Sequence, residues 1–250
     1  MSTPVQQSAF APLETDGRTG AVVRRLRESI HLGLLADGER LPAEVDLAAQ
    51  LGVATVTLRE ALGALRQDGL VRTRRGRGGG TFVTAPAELS SFRLEQRLME
   101  FPLQELRDIG DHRAAVAIAT AGLAAERASA DNCDRLRTRL ELLVEAPDLG
   151  SRRRADGRFR LEVAAAAQSA RLARAEIALQ AEIGDLLWLP LEQAGDHGMV
   201  VADHRRLVAA IEKGATARVR AIAEGRIRAE TARLVDYRLA AAKRRLRSRT

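Results

Sequence analysis

Cysteine is almost missing from this chain of 250 residues. The single Cys133 excludes an internal disulfide and any zinc framework built on cysteines, which fits a reducing, cytoplasmic setting. Aromatic residues reach only 3%, with one Trp and one Tyr. The 46% apolar share rests mainly on Ala, Leu and Val, a mix that favours helix over sheet. No run approaches the ~20 apolar residues that span a bilayer. The first residues also lack a basic start followed by an apolar stretch, so a soluble chain without a membrane partner or export signal is expected. Paired catalytic carboxylates, a nucleophile–base arrangement and a Walker loop are absent too. The glycines of 76–80 form too short a loop and lack the following Lys-Ser/Thr of a phosphate loop. An enzyme is not expected.

Positive charge is what the chain has in excess. A formal net charge of +7 comes almost wholly from arginine, whose planar fork suits phosphate and carboxylate, so polyanions are plausible partners. The length suggests two domains, each able to bury a core. Residues 1–17 are polar and aperiodic and read as a flexible arm. From Ala21 the apolar residues Val22, Val23, Leu26 and Ile30 recur at helical spacing, until Gly33 and the Asp37-Gly38 turn stop the run. A short helix is expected over Glu44 to Leu51, capped by Gly52, and a third over about Thr55 to Gln67, with Thr57 and Glu60 spaced for a capping box and Gly69 ending it.

A short helix, a glycine turn and a second helix make the helix-turn-helix arrangement, whose later helix enters the DNA major groove. Leu70 to Arg74 and Thr81 to Val83 then read as a hairpin wing around an Arg-Gly loop. The expected winged domain covers 18–84, with a linker over 85–102. Helices follow near 103–129, 132–145, 152–167, 170–187, 197–213 and 215–243, and a solvated basic tail occupies 244–250. The expected fold is mainly α: an N-terminal winged helix-turn-helix plus a C-terminal all-α helical bundle.

The segment LPAEVDLAAQLGVATVTLREALGALRQDGLVRTRRGRGGGTFV resembles the DNA-binding domain of the GntR family of regulators, and the helical remainder looks like the FCD ligand-sensing domain of its FadR-like branch. The resemblance implies a homodimeric, sequence-specific transcription regulator. It would be a repressor of a double-stranded DNA operator, modulated by a small-molecule effector. DNA contacts are expected from Glu44, Thr55, Thr57 and Arg59, where hydroxyl and guanidinium groups can meet base edges or phosphates, and from Arg74, Arg75, Gly76 and Arg77 on the wing. Relatives often carry a basic residue at Val45 and an arginine at Thr55, so the recognised sequence should differ. Losing a bidentate arginine–guanine contact is worth ~1–3 kcal/mol at one base step. Position 43, often serine in relatives, is Ala, so the second helix loses a side-chain cap.

FCD domains commonly hold a divalent metal through one aspartate and three histidines. Here Asp156 and His204 keep their places, but Arg160 and Arg226 stand at the other two. A guanidinium offers no lone pair to a cation, so no metal cofactor is expected. By spacing alone, Asp156 and Arg160 are an intrahelical ion pair worth ~0.3–0.5 kcal/mol. Two separate replacements by arginine suggest more: Arg160 and Arg226, with Asp156 and His204, would bind an anionic effector such as an organic acid, and Arg113 of the first long helix either joins them or lies on the helix surface. The alternatives are a helical domain that only dimerises or, less favoured, one that catalyses. His31, His112 and His197 fall in no ligand spacing, and Trp188 reads as core packing at a helix end.

Overall fold

The structure is a computed structural model that describes residues 18–84, 90–195 and 197–247. The expected arm over 1–17, positions 85–89 of the expected linker and the last three residues of the expected tail lie outside these. The chain divides into two compact units, Met1–Ala87 and Glu88–Thr250.

In the first unit, α1 (Arg18–His31), α2 (Glu44–Leu51) and α3 (Thr55–Gln67) are followed by the strands β1 (Val71–Arg74) and β2 (Gly80–Val83). The strands form an antiparallel hairpin running from Val71 opposite Val83 to Arg74 opposite Gly80. Leu26 and Ile30 of α1, Leu47 and Leu51 of α2, and Leu58, Leu62 and Leu65 of α3 close one core with Val71 and Val83 of the hairpin. Gly52 makes the turn between α2 and α3 in the left-handed region, at φ 66°, and its N–H donates to the carbonyls of Ala48 and Ala49 in α2. A side chain with a Cβ is disfavoured in that conformation.

Two local features depart from the sequence reading. No capping box forms from Thr57 and Glu60: the N-cap of α3 is Ala54, which makes no side-chain bond, so Thr57 already lies inside the first turn. Glu60 instead accepts a hydrogen bond from the Thr19 hydroxyl (3.0 Å), tying α3 to α1. The segment before α2 also joins the sheet. Arg40 bridges Phe82, with Val83 N–H donating to the Glu39 carbonyl and Leu41 N–H to that of Thr81, both at 2.9 Å. A single bridge carries no periodicity and leaves no sequence signal.

The second unit is helical throughout its described residues: α4 (Ser91–Glu100), α5 (Leu103–Arg127), α6 (Ala130–Val144), α7 (Leu149–Ala166), α8 (Ala170–Ile183), a 3₁₀ turn (Gly184–Trp188), α9 (Leu189–Ala194), α10 (His197–Glu212) and α11 (Thr216–Arg247). The long helices α5 and α11 pack closely at Gly110, where a Cβ would sit 2.5 Å from Thr231 Cγ2. One hydrophobic cluster gathers Leu94, Leu98, Leu106, Trp188 and Leu234; a second gathers Leu136, Phe159, Leu207 and Val219.

The expected linker over 85–102 is corrected by α4, whose Leu94 and Leu98 are fully buried in the second unit's core. Its N-cap Ser90 accepts the Arg93 N–H. Only one pair of apolar residues at helical spacing marks its buried face, too little for a periodic signal. The expected solvated tail is corrected as well. α11 runs on to Arg247, and Arg244 donates to Glu95 (3.0 Å) while lying 5.3 Å from the centre of the Tyr237 ring.

Candidate DNA interface and effector site

The buried stripe of α3 runs through Leu58, Ala61, Leu62 and Leu65. Thr55 and Thr57 precede Leu58 and Ala61 by three and four residues and so lie beside that stripe, half-buried. Val56 is the α3 residue that projects at this point, at 63% exposure, and Val45 on α2 is 69% exposed. Sequence reading missed Val56, although its offset from the leucine stripe was the available signal.

Arg59 is exposed, and its Nε donates to Glu44 Oε2 at 2.6 Å, which links the start of α2 to α3. An ion pair this open to water is worth about 0–1 kcal/mol, so the guanidinium can exchange Glu44 for a phosphate or a base edge at small cost. On the hairpin, Arg74 stacks its guanidinium 4.9 Å from the centre of the Phe82 ring. Arg75, Gly76 and Arg77 occupy the exposed tip, where Gly76 takes φ 92°.

The second unit brings Arg113 of α5, Asp156 and Arg160 of α7, His204 of α10 and Arg226 of α11 into one buried network. The sequence reading left out Glu230, four residues beyond Arg226 on α11. Its carboxylate accepts both terminal nitrogens of Arg160 (3.1 and 2.8 Å) and Arg113 Nη2 (2.6 Å). Arg160 Nε donates to both oxygens of Asp156 (3.2 and 3.1 Å). The Asp156–Arg160 pair is therefore not an isolated intrahelical one, and the fork of Arg160, expected to meet an effector directly, is closed by the chain's own carboxylates. Trp188 is buried, as its apolar neighbours suggested, but its Nε1–H also donates to Asp156 Oδ2 (3.1 Å).

His204 lies between Asp156 Oδ1 (2.7 Å from Nε2) and Arg226 Nη1 (2.8 Å from Nδ1). A guanidinium can only donate, so Nδ1 accepts and the proton of a neutral ring sits on Nε2, pointing at Asp156. Phe159 stacks on the ring at 4.0 Å. Burial lowers the His204 pKa, the Asp156 hydrogen bond opposes this, and the Arg226 charge reinforces it; the result is a pKa pushed down to about 4. Burial alone would raise the pKa values of Asp156 and Glu230. Burial is the largest single influence at each, but the partners together outweigh it, led by Arg160 with His204 and Arg226 at Asp156 and with Arg113 and Arg226 at Glu230, so both carboxyls stay far below their usual range. Burial and the neighbouring Arg160 charge lower the Arg226 pKa.

These residues do not fit a divalent cation. Both ring nitrogens of His204 are engaged, and guanidinium groups stand where two further ligands would be needed. Among the described residues, no three His, Cys, Asp or Glu side chains form a group that could hold a metal ion. What the network leaves over is hydrogen-bond donors. Arg113 Nη1 and Arg226 Nε are buried with no hydrogen-bond partner among the described residues. Both arginines line a cavity of about 20 Å³ together with Thr120 and Glu176.

A helix-turn-helix with an arginine wing, followed by a separate helical unit around a buried polar site, is the arrangement of a two-domain DNA-binding regulator. Residues 18–83 match the family described as bacterial regulatory proteins, gntR family, and residues 108–229 match the FCD domain. Over 239 residues the chain is 42% identical to a protein named HTH-type transcriptional regulator RmpR, from Mycobacterium gastri, covering 95% of this chain and 87% of that one. It is 38% identical to a protein named L-lactate dehydrogenase operon regulatory protein, from Escherichia coli, over 59% of this chain and 58% of that one. Among solved structures, E. coli McbR/YncC aligns with a TM-score of 0.52 at 20% identity, over 89% of this chain and 99% of that one, a likeness of fold. The chain belongs to the GntR family of transcription regulators, with a C-terminal FCD domain; it is a DNA-binding regulator and not an enzyme. No helix among the described residues is long and apolar enough to cross a membrane.

Proposed function

We propose that this regulator is a cytoplasmic, homodimeric repressor whose hold on a near-palindromic operator changes when a small organic acid enters the cavity beside Arg113 and Arg226. The two winged units read half-sites whose separation is set by the dimer. Arg59 and the half-buried Thr55 and Thr57 face the groove, with Glu44 holding Arg59 in place, while Arg74, Arg75, Gly76 and Arg77 lie along the sugar-phosphate chain. The exposed Val45 and Val56 suit the methyl group of thymine better than a guanine edge.

The observation that carries the effector reading is the pair of buried guanidinium donors, Arg113 Nη1 and Arg226 Nε, without acceptors. A buried unsatisfied donor costs about 1–3 kcal/mol, and a carboxylate supplies acceptors to both. Asp156, Arg160 and His204 position these two arginines. The cavity has room for about one water, so an organic acid binds a conformation in which the surrounding helices have moved apart. That preference for one conformation is what couples effector to operator. L-lactate belongs in the panel of acids because one relative is named for the L-lactate dehydrogenase operon.

Closure of the Arg160 fork by Asp156 and Glu230 favours a second reading, in which the network is purely structural and the domain only dimerises. Thermal melts of the full chain against a panel of organic acids separate the two, since a ligand bound only by the native state raises the melting temperature with concentration. The effector reading expects at least one acid to stabilise the wild type, with the effect lost in Arg226→Gln. It fails if no acid stabilises the protein or if Arg226→Gln responds as the wild type does. Selection of bound sequences from random duplex DNA tests the operator reading. A two-fold-symmetric motif is expected, and sequence-blind, salt-labile binding would overturn it.

A further inference from the structure

Helix α7 carries two different chemistries on opposite sides. Asp156 and Arg160 join the buried network, whereas Ser151, Arg154, Ala155 and Arg158 recur at spacings of three and four residues and form another stripe. That stripe and the end of α6 line a surface pocket of about 360 Å³, a volume suited to a small molecule. Leu142, Ala146, Pro147 and Ala155 supply its apolar lining, and Leu142 remains 46% exposed. The polar lining is mainly basic: Arg139, Arg154 and Arg158 outnumber the single carboxylate of Glu145.

Local contacts hold this basic cluster together. Arg154 Nη2 donates to the Ser151 hydroxyl (3.0 Å), and Arg139 Nε lies 3.6 Å from Glu162, whose carboxylate is fully buried and also accepts from Arg135. Burial, followed by the Arg139 and Arg154 charges, pushes the Arg158 pKa down. Like charges gathered around one partly buried pocket repel one another, and an anion seated among them turns that repulsion into attraction.

We propose that this pocket is a second ligand site, separate from the Arg113–Arg226 cavity, for an organic anion. Its acidic group lies among Arg139, Arg154 and Arg158, and a short apolar group packs against Leu142, Ala146 and Pro147. Guanidinium forks suit the acid in bidentate fashion, and the apolar lining rewards an attached hydrocarbon over a bare inorganic ion. The site does not depend on the effector reading of the central cavity.

Isothermal titration of the full chain with hexyl phosphate, hexanoate, inorganic phosphate and hexanol tests the assignment. One hexyl phosphate or hexanoate should bind per chain, at least about tenfold more tightly than inorganic phosphate or hexanol. Arg154→Gln and Arg158→Gln should each weaken that binding about tenfold or more. Leu142→Asp, at a half-exposed position outside the arginine cluster, should weaken it as well, and thermal melts identify any variant that has not folded. Arg226→Gln should bind normally. Absence of saturable binding, affinity equal to that of inorganic phosphate, indifference to Arg158→Gln and Leu142→Asp, or loss in Arg226→Gln would each overturn the proposal.

Discussion

Replacing Glu230 by Gln keeps the shape of the side chain and removes one buried negative charge. That charge receives two hydrogen bonds from Arg160 and one from Arg113, and Arg226 Nε lies 3.8 Å away. Without it, three buried guanidinium groups retain Asp156 as the one carboxylate bonded directly to the network, and the new amide nitrogen adds a donor where only acceptors are useful. Removing one partner of a buried ion pair costs roughly 3–5 kcal/mol, because the other charge stays buried without compensation. For a domain of this size the melting temperature should fall on the order of 10 °C. Trp188 is the only Trp of the chain, is buried, and hydrogen-bonds Asp156, so its fluorescence reports unfolding of the second unit alone. Glu224→Gln is the control: it breaks an exposed pair with Arg228 and should change stability by no more than about 0.5 kcal/mol. Urea titrations of both variants beside the wild type give the comparison. A loss below about 1 kcal/mol for Glu230→Gln would refute the view that this carboxylate holds the arginines together.

Three further outcomes are expected. His204 has a pKa near 4 in the fold against an ordinary value of about 6.5, so between these values the unfolded chain binds more protons; stability should fall by up to ~3 kcal/mol as pH drops from about 6.5 to 4, and a flat melting temperature across that window would contradict the neutral, doubly bonded ring. Gly110→Ala places a methyl 2.5 Å from Thr231 Cγ2 and should destabilise the α5–α11 packing by about 1–3 kcal/mol, measured by the same urea titrations, with the double variant Gly110→Ala, Thr231→Ser recovering part of the loss. On DNA, Arg75→Ala should lower affinity equally for operator and random duplex and reduce the salt slope by about 0.9 for one lost phosphate contact, whereas Arg59→Ala should cost about 1–3 kcal/mol on the operator alone; anisotropy titrations at several salt concentrations distinguish these outcomes.

What could be read in the chain before folding follows from local periodicity and backbone chemistry. The leucines of α2 and α3, the left-handed turn at Gly52 and the two short strands flanking the Arg-Gly loop all act within a few residues, and these elements occupy the expected places. Helix α4 escaped because two leucines are too few for a period. The capping box failed because spacing alone does not say where a helix begins. In the C-terminal site, the identities of Asp156, Arg160, His204 and Arg226 already disfavoured a metal, since guanidinium groups cannot ligate cations.

Tertiary structure decided what those residues do instead. Arg113 and Arg160 stand 117 and 70 positions from Glu230, and only the packing of α5, α7 and α11 turns that carboxylate into their common acceptor. The i, i+4 spacing of Arg226 and Glu230 was visible, but spacing does not report burial. Burial makes the same charges strong, and it makes the two guanidinium nitrogens without hydrogen-bond acceptors costly. Local chemistry is written in neighbouring residues; the dielectric around a charge, and the partner it meets there, exist only once distant segments have closed over it.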